Sequence, residues 1–120
     1  MYQSEKYNLE KRTQDFGIRI VQCCQQIDRN PINDPLIKQI VRSGTSIGAN
    51  YQEANGASSK KDFTNKISIC KKEAKETYHW LVILKSANSM VKSEIEKLQD
   101  ECHQLVLIFS KIHSSCKIKN

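Results

Sequence analysis

Arg42-Ser-Gly-Thr-Ser-Ile-Gly-Ala-Asn-Tyr-Gln-Glu-Ala54 is the stretch whose reading decides the fold. It is small and polar where a helix is usually apolar, yet the flanking pattern requires a helix. Ile37, Ile40, Gly44, Ile47, Tyr51 and Ala54 recur at steps of three and four and so share one helical face. Gly44 and Gly48 stand one turn apart, beside Ser43, Ser46 and Ala49. A glycine inside a helix costs about 1 kcal/mol relative to alanine. Close approach of a neighbouring element offsets that cost, and Phe63, Tyr78 and Trp80 of the following segment are the expected fillers. A phosphate-cradling loop is a poor alternative, because the glycines have neither P-loop nor dinucleotide spacing and no strand precedes them.

Outward from this stretch, the pattern predicts four helices, over about 5–29, 34–55, 60–89 and 94–116. In the first, Leu9, Thr13, Phe16, Ile20, Cys23 and Ile27 line one face. Asn30-Pro31-Ile32-Asn33 breaks it, and Asp34 is the expected N-cap of the second, with Pro35 at the first helical position. Ser59-Lys-Lys-Asp62 resembles a capping box and opens the third, whose stripe is Phe63, Ile67, Cys70, Ala74, Thr77, Leu81 and Leu84. Ser93-Glu-Ile-Glu96 is the expected capping box of the fourth, with Ile95, Leu98, Cys102, Leu105, Phe109, Ile112 and Cys116 facing inward. Four amphipathic helices joined by short turns predict an all-α, antiparallel up-down-up-down four-helix bundle occupying residues 1–120 as one domain.

The compartment follows from what is missing. Cys23, Cys24, Cys70, Cys102 and Cys116 have no metal-ligand spacing, and their odd number argues against a disulfide framework. They read as small buried apolar residues in a reducing cytoplasm. The opening Met1-Tyr-Gln-Ser-Glu-Lys6 is polar and unlike a signal peptide, and the longest wholly apolar run, Leu105 to Phe109, is too short to span a bilayer, so no membrane association is expected.

Three surfaces invite a functional reading. Arg42, Ser46, Asn50 and Glu53 line one side of the second helix, and Glu73 and Glu76 lie on the third. An arginine taken from water needs a carboxylate, so an internal polar network joining Arg42, Asn50 and Glu53 to Glu73 or Glu76 is predicted, with helix register as its role. No nucleophile stands near enough in sequence to make these carboxylates catalytic. Glu76-Thr-Tyr-His79 and Asp100-Glu-Cys-His103 invite comparison with di-iron bundles, but the second match is degenerate and the first helix supplies no mid-core glutamate, so neither a metal nor another cofactor is expected.

The formal net charge is +6, and Lys60, Lys61, Lys66, Lys71, Lys72 and Lys75 crowd the first half of the third helix. If Glu73 and Glu76 turn inward, the outer face becomes a lysine patch suited to a phosphate backbone of RNA or DNA. No aromatic residue is interleaved with these lysines in sequence, which argues against single-strand recognition. Finally, Ile18 and Val21 lie off the core stripe of the first helix, and Val106, Leu107 and Ile108 off that of the fourth. Such surplus apolar surface predicts self-association, with a heterologous protein partner as the alternative.

The segments Gln39 to Ala54, Ser59 to Phe63 and Lys72 to Leu81 closely resemble the four helix bundle protein family encoded in intervening sequences of bacterial 23S rRNA genes. Arg42, Ser43, Ser46, Ile47, Ala49, Asn50 and Glu53 carry most of the likeness. Many members have Glu-Gly after the second helix; here Ala54 follows Glu53 and glycine comes at Gly56, which alters only the turn. The resemblance implies a non-enzymatic bundle that assembles as a homopentameric ring. It also implies kinship with the accessory protein of diversity-generating retroelements, a basic pentamer that works with a reverse transcriptase and nucleic acid.

Overall fold

A computed structural model describes residues 8–118. Four helices follow one another: α1 (Leu9–Gln25), α2 (Asn33–Asn55), α3 (Lys60–Ala87) and α4 (Lys92–Ile118), with a 3₁₀ turn at Ser89–Val91 leading into α4. No strand occurs among the described residues. Each helix packs on its neighbours in chain order and α1 returns to α4, which closes the bundle. Cross-helix contacts fix the antiparallel register. Gly48 meets Thr13 and Gly44 meets Ile20 between α1 and α2, while Cys70 reaches Ile47 and Thr77 reaches Ser43 between α2 and α3. Between α3 and α4, Cys102 reaches Ala74 and Lys85 reaches Glu96. The fold is the expected all-α four-helix bundle.

The core is the sum of the four stripes read from the sequence. All members of the first and fourth stripes are buried, as are all of the second and third except Ile37 and Phe63, which pack partly buried against its edge. Fully burying each large aliphatic side chain contributes about 1.5–3 kcal/mol. The thiols of Cys70 and Cys102 serve as weak cross-helix donors, to Ile47 O at 3.6 Å and Ala74 O at 3.0 Å. Among the described residues, every buried side-chain nitrogen and oxygen has a partner.

The helix ends depart from expectation in physically readable ways. The described part of α1 ends at Gln25, four residues before the expected 29, and residues 5–7 of the expected start lie outside the described residues. Asn8, with φ of 37° in the left-handed region that asparagine tolerates, caps the start by accepting from Lys11 N. Asn30 rather than Asp34 opens α2: its Oδ1 accepts from Ile32 N at 2.9 Å and Asn33 N at 2.7 Å, and its carbonyl accepts from Asp34 N. Asp34 lies inside the first turn, where its carboxylate accepts from Asn30 N and Arg29 Nε. Pro35 is thus the third helical residue, a position whose missing N–H costs nothing.

Ser59 caps α3 as read, with Asp62 N donating to its Oγ at 3.0 Å, and Asp62 Oδ2 accepts in turn from Ser58 N. The helix stops at Ala87 rather than 89. The expected capping box at Ser93 is not the start of α4. The 3₁₀ turn already delivers the chain in helical dihedrals at Lys92, so Ser93 falls inside the helix and Glu96 turns to Lys85 of α3 at 3.5 Å.

The glycines of α2 are a further correction. A Cβ at Gly44 would meet Ile20 Cγ1 at 3.0 Å, and one at Gly48 would meet Thr13 Oγ1 at 3.1 Å. The filler is therefore α1, not Phe63, Tyr78 and Trp80 of α3. Two helices can approach this closely only where one offers bare backbone, and α2 offers it towards α1.

Candidate nucleic-acid interface

The candidate site is the outer face of α3, and the core stripe decides where that face points. With 100° between successive residues, Ile67, Cys70, Ala74, Leu81 and Leu84 hold one side of the helix inward. Lys61, Lys72 and Lys75 then fall on the opposite arc, with Lys60 and Lys71 at its flank; all but the half-buried Lys71 are exposed. Of the three carboxylates of α3, Glu73 and Glu76 turn to α2, with Glu76 bordering the arc beside Lys72, and Asp62 sits in the first turn. Asp62 is held by Ser58 N, Glu73 lies 3.4 Å from Arg42 Nη1, and Glu76 pairs with Arg42 Nη2. Lys66 also lies on the α2 side, 2.8 Å from Glu53, so it is drawn into an ion pair and out of the lysine arc. The hydrogen bond to Glu53 raises the Lys66 pKa.

Glu76 sits between two donors. Trp80 Nε1 donates to its Oε2 at 3.1 Å, and Arg42 completes the pair. The Trp80 bond and then the Arg42 bond hold its carboxyl below the ordinary value, while the Glu76 bond raises the Arg42 guanidinium.

This cluster differs from the expected internal network. The Arg42 side chain is 46% exposed, so the pairs are a surface staple between α2 and α3. Asn50 does not join it; its amide donates to Ser46 O at 2.8 Å within α2. Glu53 belongs to Lys66. The buried polar contact between α2 and α3 is instead Ser43 with Thr77, whose hydroxyls meet at 2.8 Å with both residues fully enclosed. Small side chains on α2 make room for that contact.

The histidines and cysteines are dispersed. His79 lies edge-on to Trp80, with ring centroids 5.1 Å apart, while Glu76 faces Arg42; His103 lies by Tyr78. Among the described residues no three metal-ligating side chains come together. Burial pushes the Cys24 thiol up to about 11 and the Cys70 and Cys102 thiols up to about 12, so these remain protonated at neutral pH and are poor nucleophiles.

The five apolar residues expected at an oligomer interface do not form one patch. Ile18 and Leu107 are exposed, Val21 is half-buried, and Val106 and Ile108 pack against the core. Arg12 faces Glu101 and Arg19 faces Glu94 across α1 and α4, which sets the level of the two helices. At that register Ile18 and Leu107 stand roughly 18 Å apart along the axis. A largely apolar groove of about 290 Å³ lies instead on the α1–α2 seam, lined by Val21, Cys24, Ile27, Ile37 and Val41 together with Gln25 and Arg29.

Sequence reasoning also missed three pairings between distant residues. Arg12 forms a two-pronged pair with Glu101, at 2.7 and 2.9 Å. Asn33 and Asn88 exchange amide hydrogen bonds at 3.1 and 2.9 Å, tying the start of α2 to the end of α3. Tyr78 meets His103, their centroids 6.4 Å apart. Antiparallel register is the signal that finds such pairs, and it exists only once the bundle is built.

Comparison with known proteins agrees with this architecture. The profile of the 23S rRNA-intervening sequence protein family matches residues 5–111. The chain belongs to that family. A crystal structure of a protein with unknown function from the S23 ribosomal protein family of Bacteroides thetaiotaomicron is similar at a TM-score of 0.75 and 33% identity. The likeness covers 87% of this chain and 96% of that one. No curated protein matches the chain. The 23S rRNA-intervening sequence match includes Arg42 to Ala54 and the whole lysine arc of α3. No helix among the described residues of this family member is long and apolar enough to cross a membrane.

Proposed function

We propose that this chain is a non-catalytic bundle that associates with copies of itself and holds the phosphate backbone of RNA or DNA along α3. One observation carries the reading: α3 sorts its charge. Lys61, Lys72 and Lys75 share the outward arc, flanked by Lys60 and Lys71, while Glu73 and Glu76 pair with Arg42 of α2 and Asp62 accepts from Ser58 N at the helix start. The nearest carboxylate, Glu76 beside Lys72, is already paired with Arg42, so the lysines present a net positive field to a polyanion. Contacts of this kind fix position without reading bases, so binding is indifferent to sequence. Fluorescence anisotropy with a labelled RNA and a scrambled RNA of the same length tests this: equal affinities at low salt support it, and no binding at low salt contradicts it.

Self-association draws on the α1–α2 seam, where exposed Ile18 stands one helical turn before Val21 of the groove that Ile37 and Val41 also line. The ring of five that the resemblance implies would scatter light as a particle five times the 13.8 kDa chain. Ile18→Asp is expected to shift that mass towards the monomer while leaving the melting temperature nearly unchanged, since Ile18 is 53% exposed. A wild-type protein that runs as a clean monomer at micromolar concentration contradicts the assembly.

A further inference from the structure

The lysine arc runs into an aromatic pair. Lys71, Lys75, Tyr78 and Val82 are spaced by four, three and four, which places them on one stripe of α3. Tyr78 is 38% exposed and Val82 44%. The exposed His103 of α4 lies against Tyr78 with ring planes tilted by 58°, and Leu107, one turn further along α4, is 50% exposed. Phosphate-binding cations and exposed rings therefore share one surface on the α3–α4 side. The acidic limit of that surface is Asp100, one turn before His103, and beyond it Glu96 is engaged by Lys85.

We infer, against the expectation from the sequence, that this surface takes single-stranded nucleic acid, with a base stacked on Tyr78 while Lys71 and Lys75 hold the flanking phosphates. The inference rests on the backbone-binding reading above and adds a preference for unpaired bases to it. A duplex keeps its bases stacked on one another and has no π-face to offer Tyr78. An unpaired strand offers one at every nucleotide, and stacking on a protein ring tolerates any base. The His103 contact restrains the Tyr78 ring before any ligand arrives, which lowers the ordering cost of stacking. Val82 and Leu107 border the rings with apolar surface suited to a base and poorly suited to phosphate.

The test compares oligothymidylate with an abasic strand of equal length and phosphate count, each labelled at one end, at one low salt concentration. Wild type is expected to bind oligothymidylate roughly fivefold or more tightly than the abasic strand. Tyr78→Ala should bind the two alike, Tyr78→Phe should keep the preference, and Lys75→Gln should weaken both in the same proportion. Equal binding of the two strands by wild type, or a preference that survives Tyr78→Ala, overturns the stacking inference while leaving the backbone reading standing. Failure of wild type to bind either strand overturns both. Circular dichroism spectra of the variants matching wild type show that any loss is local, as expected for an exposed ring.

Discussion

Gly17 and Gly44 sit on facing helices and should answer the same substitution with opposite signs. A Cβ at Gly44 would press on Ile20, a β-branched residue with no exposure and little room to turn. Overpacking of that kind costs about 1–3 kcal/mol, against a gain of about 1 kcal/mol in helix propensity. Gly44→Ala is therefore expected to destabilise by about 1 kcal/mol net. At Gly17 the nearest atoms, Thr45 Cα and Cγ2, stand 3.7 Å from the added carbon, an ordinary contact. Gly17→Ala should stabilise by up to about 1 kcal/mol. Urea melts of both variants check the pair; a stabilising Gly44→Ala would mean that α1 and α2 are not in the tight contact described. Unlike Gly17 of α1, the glycines of α2, Gly44 and Gly48, were visible in the sequence as small residues with a packing purpose. Which helix they face was not, because periodicity assigns a residue to a face but not to a neighbour.

The elements show where legibility stops. Stripes and helix identities could be read because burial repeats every three to four residues along each chain segment. Ends were harder, since several polar residues compete for each cap. Asn30 won over Asp34 because its side chain reaches two backbone N–H groups at once, and the 3₁₀ turn displaced Ser93 by starting α4 early. The outward lysines of α3 were legible for the same reason as its core. The Tyr78–His103 pair was not, since the two residues are joined only by the packing of α3 on α4.

At this scale too belongs the staple between α2 and α3. The folded Glu76 carboxyl titrates below its ordinary value near 4.5, because Trp80 and Arg42 hold the ionised form. Its contribution to stability is therefore complete above that value and is lost as pH falls through the lower folded value. Glu76→Gln should lower the melting temperature at neutral pH, by less than about 1 kcal/mol in stability because the pair is part-exposed. The gap between variant and wild type should close as pH falls through the lowered folded value of Glu76. Thermal melts across pH check this; a gap that stays constant into acid would show that Glu76 gains nothing from its charge.

The whole molecule brings together a tightly built interior and a sorted exterior. Small residues on α2 let α1 close in, and the engaged carboxylates on the α2 side of α3 leave the far side to lysines. The central claim is that this far side binds phosphate. Its most direct test is the salt dependence of duplex binding between about 50 and 200 mM, for wild type and for the triple variant Lys61→Gln, Lys72→Gln, Lys75→Gln. Each lysine that displaces a counterion contributes about 0.9 to the slope of log affinity against log salt. The account predicts a steep negative slope for wild type, made shallower by about 2–3 in the triple variant. A flat wild-type slope, or one that the three substitutions leave unchanged, would contradict it.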